Sequence, residues 1–160
     1  MKIATLSALT LALSAAAAQA APANGLEVLQ PWSRPAVAGT TGAGYMVLAN
    51  HGKAAETLTA VESPAAGKVE IHQMSMAGGV MSMGKVDRIA IPAGGTVAFA
   101  PGGYHLMLLN LKRGLKTGDA APATLVFASG ARVAVSFKVG DGLGAPKAGA
   151  APDSMAGMKH

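Results

Sequence analysis

Short apolar segments recur along the chain, and glycine- or proline-rich turns separate them. The clearest alternation covers residues 68–72, where Val69 and Ile71 alternate with Glu70 and His72. Because successive side chains of a strand point to opposite faces, this pattern predicts a strand with one apolar face and one polar face.

Two further apolar segments, residues 125–127 and 133–139, flank a short glycine-containing stretch, and this arrangement predicts a hairpin. Residues 111–124 favour a loop, and helical periodicity is nearly absent. Roughly seven to nine short strands with Gly/Pro turns are typical of a two-layer sandwich. The sequence therefore predicts an all-β domain, a β-sandwich with Greek-key connections.

The N-terminus has the pattern of a secretory signal peptide. Lys2 supplies a positive charge, residues 3–18 are mostly apolar, and an A-x-A motif ends at Ala20. A membrane anchor is the alternative, but the apolar run is short for a span of about 20 residues. We expect residues 1–20 to be cleaved and the protein to be exported to the periplasm, with no membrane insertion after cleavage.

The rest of the chain divides into a predicted domain and a tail. Residues 21–140 are enough for one domain with a single core. Strand patterns stop after this point, and residues 141–160 are rich in Ala, Gly and Pro. This composition predicts a disordered C-terminal tail.

Composition narrows the classes of function. The chain has no cysteine, so disulfides, thiol catalysis and the thiolate of a blue-copper site are excluded. The net charge is +5, but the basic residues are scattered, which argues against nucleic-acid binding. Only eight residues are acidic, and no catalytic triad, carboxylate pair or phosphate loop stands out. An enzyme is therefore the weaker alternative.

Histidine and methionine carry the candidate chemistry. Five of the nine methionines and two of the four histidines lie between positions 72 and 107. His72, Met83, His105 and Met107 form a neutral set of two imidazoles and two thioethers, and thioethers select soft Cu(I) over hard ions. Taken singly, each has an ordinary interpretation, as a surface histidine or a methionine in the core.

The order and spacing of these four residues, H-x10-M-x21-H-x-M, resemble the signature of the periplasmic copper chaperones of the PCuAC type. Gln73 stands where that motif has an optional Met. Residues 80–83, 92–95 and 101–107 are similar to the same family. The resemblance covers roughly residues 25–139.

This resemblance implies a cupredoxin-like β-sandwich that binds one Cu(I) at an exposed site. It carries His72, Met83, His105 and Met107 over as the ligands. It also implies delivery of copper to the copper-centre subunit of cytochrome c oxidase, or to another copper carrier, during oxidase assembly. A single exposed ion site fits a monomer. A metal-bound histidine must be deprotonated, so Cu(I) affinity is expected to fall as the pH falls.

Several alternatives stay open. Met74, Met76 and Met81 form either a hydrophobic rim or additional thioethers used in transfer. The tail residues Met155, Met158 and His160 are either a solvated end or a second copper site, with Cu(II) bound through His160 as one form. The same four ligands would also suit a periplasmic sequestration or tolerance protein. A metal-free sandwich would leave the clustering of Met and His unexplained.

Overall fold

A computed structural model describes residues 25–141. These residues form ten β-strands, and none of them lies in an α-helix. Among them, no helix is long and apolar enough to cross a membrane. The predicted signal peptide and the tail residues Met155, Met158 and His160 lie outside the described range. The strands are β1 (Leu26–Ser33), β2 (Gly42–Asn50), β3 (Glu56–Glu62), β4 (Ala66–Ala77), β5 (Val80–Lys85), β6 (Ile89–Ile91), β7 (Thr96–Phe99), β8 (Tyr104–Leu111), β9 (Ala120–Phe127) and β10 (Arg132–Val139).

The strands are joined by hydrogen bonds in the order β5-β4-β8-β7-β2-β1-β10-β9-β3-β6. One buried apolar cluster takes side chains from both halves of this order, including Ile71 of β4, Leu106 of β8, Ile91 of β6 and Leu125 of β9. Strands so far apart in the order can share one core only if the sheet folds over on itself. The prediction of an all-β sandwich is confirmed.

Most local predictions hold, but the described residues form ten strands rather than roughly seven to nine, and one predicted loop is partly a strand. The hairpin between β9 and β10 forms as expected, with Arg132 paired to Val126. Residues 120–124, however, belong to β9 rather than to a loop. Pro122 obscured this strand, because proline lacks the N–H of a ladder. Pro122 lies beyond Thr124, the last residue paired to β3, so no bond to β3 is lost there.

Strands β5, β4 and β8 form one end of the sheet and carry the predicted ligands. Ile71 of β4 pairs with Leu106 of β8, and both side chains are buried in the core. The residues on either side of them in sequence therefore point to the opposite face. That outer face carries His72 on β4 and both His105 and Met107 on β8.

Candidate metal centre

The two predicted histidine ligands lie directly opposite each other. His72 of β4 and His105 of β8 are cross-strand partners, 33 positions apart in the sequence. Their ring centroids are 5.9 Å apart, with the planes tilted by 42°. The His72 side chain is 15% exposed and His105 as a residue is 6% exposed. The sheet therefore brings together two largely buried imidazoles that the sequence separates.

Hydrogen bonds fix the tautomer of each ring. Nε2 of His72 lies 3.0 Å from a carboxylate oxygen of Glu70, and Nδ1 of His105 lies 3.2 Å from the Gly103 carbonyl oxygen. Both partners accept, so each of these nitrogens donates a proton in the neutral ring. The lone pairs are then on Nδ1 of His72 and Nε2 of His105.

Nδ1 of His72 is buried, and within the described chain it has no hydrogen-bond partner. An unpartnered buried polar atom is costly, whereas a nitrogen lone pair of this kind is what a metal ion binds. Histidine ligands of metals usually donate their other N–H to a carboxylate or a backbone carbonyl. His72 and His105 have these two kinds of partner, so both rings are arranged as metal ligands are.

Glu70 is the part of this site that the sequence did not single out. Its other carboxylate oxygen lies 2.6 Å from the Lys68 ammonium. The hydrogen bonds from Lys68, and secondarily from His72, lower the pKa of Glu70 to about 2. The carboxylate is therefore ionised at neutral pH and accepts from His72. The alternation of apolar and polar residues over positions 68–72 could have indicated this role, because it places Glu70 and His72 on the same face of the strand.

The two predicted methionine ligands lie on either side of the histidine pair. Met107 is the cross-strand partner of Glu70, two pairs along the ladder from the histidines and therefore on the same face. Met83 of β5 is the partner of Met74, which lies two residues beyond His72 in the other direction. Residues two apart on a strand are separated by about 6.5–7 Å. The long flexible methionine side chain would therefore have to reach inward from both sides to meet one ion.

Met74 is the additional thioether that the sheet brings to this face. It follows His72 by two residues on the same strand, and it is half-buried, whereas Met83 is 52% exposed. The Gly103 carbonyl accepts from both the Met74 backbone N–H, at 3.1 Å, and the His105 ring. One peptide group thus ties Met74 and His105 to the same place.

The donors on this face are soft and mostly neutral. In the described part of the chain, no group of three or more His, Cys, Asp or Glu has the arrangement of a metal site. The nearby charges are paired, Lys68 with Glu70 and Lys85 with Asp87 at 3.0 Å. Imidazole and thioether donors favour a soft ion such as Cu(I) over Mg²⁺ or Ca²⁺.

Comparison with known proteins places the chain in a family. The sequence profile of the family described as "Putative lipoprotein LpqE-like" matches residues 26–139. "Putative lipoprotein Lxx21020" of Leifsonia xyli is 33% identical over 124 residues, which cover 77% of this chain and 74% of that protein. "Uncharacterized protein RP573" of Rickettsia prowazekii is 34% identical over 116 residues, 69% of this chain and 64% of that protein.

Solved structures of copper-binding domains have the same fold. The copper-bound PCuAC domain from PmoF2 matches with a TM-score of 0.60 and 28% identity, over 72% of this chain and 92% of that domain. The Cu(I) form of DR1885 from Deinococcus radiodurans matches with a TM-score of 0.57 and 29% identity, over 79% and 83% of the two chains. The predicted cupredoxin-like fold is confirmed by these neighbours. The chain belongs to the LpqE-like family and, as its motif indicated, to the PCuAC type of copper chaperone domain.

Proposed function

We propose that this protein is a periplasmic copper chaperone that carries one Cu(I) and delivers it to the copper-centre subunit of cytochrome c oxidase. The observation that carries the proposal is the pair of imidazole lone pairs, on Nδ1 of His72 and Nε2 of His105, each fixed by a hydrogen bond at the other nitrogen. Met83 and Met107 complete the ligand set from the two sides.

The chemistry of this site suits carriage rather than catalysis. Cu(I) has a filled d shell and needs no redox step while it is carried. The ligands are neutral, so the bound ion adds only one positive charge to a face whose other charges are paired. Met83 is 52% exposed, and a thioether at the solvent boundary can be replaced by a ligand of the recipient.

Export is part of the proposal. The N-terminal pattern predicts a cleaved signal peptide, and the relative from Leifsonia xyli bears the name "Putative lipoprotein Lxx21020". An oxidising compartment also explains why methionine takes the place of cysteine, since thioethers form no disulfides.

Transfer to a recipient separates this function from copper sequestration. We would mix the Cu(I)-loaded protein anaerobically with the apo soluble copper domain of cytochrome c oxidase, separate the two, and measure copper on each. A chaperone is expected to pass most of its copper to the oxidase domain, because exposed thioethers are exchangeable. Copper that stays on this protein through repeated exposure to the apo domain would favour sequestration instead.

Removal of the carboxylate that orients His72 tests the tautomer argument. Glu70→Ala is expected to lower the Cu(I) affinity by about 10–100-fold, the usual effect of losing an outer partner of a histidine ligand. Competition with a chromophoric Cu(I) chelator would measure the affinity. Glu62→Ala is the control, because Glu62 is exposed and pairs with Arg132 away from the histidines. Equal affinities of the two variants would show that Glu70 does not orient the ligand.

A further inference from the structure

The β4–β5 hairpin extends beyond the rest of the sheet. Strand β8 pairs with β4 only as far as Gln73, and the Met74 N–H still donates to the Gly103 carbonyl, so residues 75–77 are paired to β5 alone. Gly78 and Gly79 form the turn, with φ angles of 59° and 78°. Positive φ at both central residues is the property of a type I′ turn, which suits two-residue hairpins. Gly78 and Gly79 thus fix the register of the two strands.

That register places methionines opposite each other in two pairs, with the Ser75–Ser82 pair between them. Met76 is the partner of Met81, and Met74 is the partner of Met83. In a two-residue hairpin the pair that flanks the turn, here Ala77 and Val80, is a hydrogen-bonded pair. Hydrogen-bonded and non-hydrogen-bonded pairs alternate along an antiparallel ladder. Both methionine pairs are therefore non-hydrogen-bonded pairs, in which the Cα atoms are only about 4.5 Å apart and the side chains are close.

All four thioethers lie on the face that carries His72, because paired residues share a face and alternate residues of a strand do too. On the opposite face of the hairpin, the Ser75 and Ser82 hydroxyls are 2.9 Å apart. Methionine thus occupies both pairs on the histidine face between His72 and the turn, and the serine pair between them lies on the other face.

These methionines do not pack in the core. Met76 is 69% exposed and Met81 is 59% exposed, whereas Met46 is fully buried. Hydrophobic packing does not explain an apolar pair held in water at the end of a hairpin. Methionine and leucine have nearly the same volume, and methionine differs by its sulfur atom. The sulfur atoms are therefore the feature of these side chains that calls for an explanation.

We propose that Met76 and Met81 form a second, weaker site for Cu(I), with Met74 and Met83 as the step between it and the two-histidine site. Its ligands are thioethers alone, so it takes only soft monovalent ions. The two methionine pairs are two residues apart on each strand, a separation of about 6.5–7 Å, so each flexible side chain reaches toward the other pair. The ion moves by replacement of one thioether with another, and its oxidation state does not change.

This inference rests on the proposed function, and the test separates the two. The protein would be labelled with ¹³C at the methionine methyl groups and titrated with Ag(I), a soft ion without redox chemistry, and then anaerobically with Cu(I). The first equivalent is expected to shift Met83 and Met107, and the second to shift Met76 and Met81. In the variant M76L/M81L the second equivalent at the hairpin is lost and the first is unchanged. The control S75A/S82A, which alters the other face of the same hairpin, keeps both.

Three results would overturn the second site. The first is a wild-type titration that leaves the Met76 and Met81 methyl groups unshifted. The second is a second equivalent that shifts only Met155 and Met158 of the tail. The third is an M76L/M81L variant that still binds two equivalents of the ion. Failure of the proposed function looks different, because no equivalent would then bind at the histidines. Shifts of Met76 and Met81 alone would support the hairpin site and contradict the two-histidine site.

Discussion

Replacing either His72 or His105 by glutamine is expected to lower the Cu(I) affinity by more than about 100-fold. Loss of a residue that only hydrogen-bonds to a histidine ligand costs up to about 100-fold, and loss of the ligand itself is expected to cost more. Each ring supplies one lone pair to the proposed ion, and the two rings lie 5.9 Å apart as cross-strand partners. A glutamine side chain has no comparable soft nitrogen donor. Anaerobic competition with a chromophoric chelator would measure the affinity of each variant.

His51→Gln is the matched control. His51 is the remaining histidine in the described range. Its side chain is 62% exposed, and its Nε2 lies 2.8 Å from a carboxylate oxygen of Glu27. Its replacement is expected to leave the Cu(I) affinity unchanged. Because His105 is buried, the thermal unfolding of each variant would be compared with wild type first. Folded His72 and His105 variants that bind copper as the His51 variant does would refute the site.

Leu106→Ala is expected to give the opposite result, a large loss of stability with a largely preserved copper site. Leu106 lies between His105 and Met107, but its side chain is fully buried on the core face. Truncation of a buried leucine to alanine leaves a cavity and costs about 2–5 kcal/mol. Urea denaturation would measure the loss. Below the unfolding transition, the remaining folded protein is expected to bind one Cu(I) with nearly wild-type affinity.

The control for this variant is Leu29→Ala on β1, since Leu29 is 38% exposed. Its unfolding free energy is expected to change much less, because a partly exposed side chain leaves no closed cavity. A Leu106 variant that is no less stable than the Leu29 variant would contradict the placement of Leu106 in the core. It would also contradict the assignment of His105 and Met107 to the outer face.

Alternation explains why much of this architecture could be predicted. A strand with a buried face must place every second residue inside, so Ile71 and Leu106 in the core put His72 and His105 on the other face. The β9–β10 hairpin was visible for a similar reason, because a glycine-containing turn separates two apolar segments. These are local signals, and a single sequence carries them.

The register between strands that are distant in the sequence could not be predicted from such local patterns. The pairing of His72 with His105 depends on how β4 aligns with β8, and no local pattern states that alignment. The tautomers follow from Glu70 and the Gly103 carbonyl, which become partners only in the folded sheet. The opposition of Met74 and Met83 depends on the Gly78–Gly79 turn, whose type the sequence alone does not fix.

The most direct test of the copper site is ¹⁵N NMR of the imidazole nitrogens during addition of one equivalent of Cu(I) under anaerobic conditions. We predict that Nδ1 of His72 and Nε2 of His105 shift on binding, while the other nitrogen of each ring keeps its proton and its hydrogen bond. The His51 signals are expected to stay unchanged. One bound equivalent that leaves the nitrogens of His72 and His105 unshifted would contradict the account.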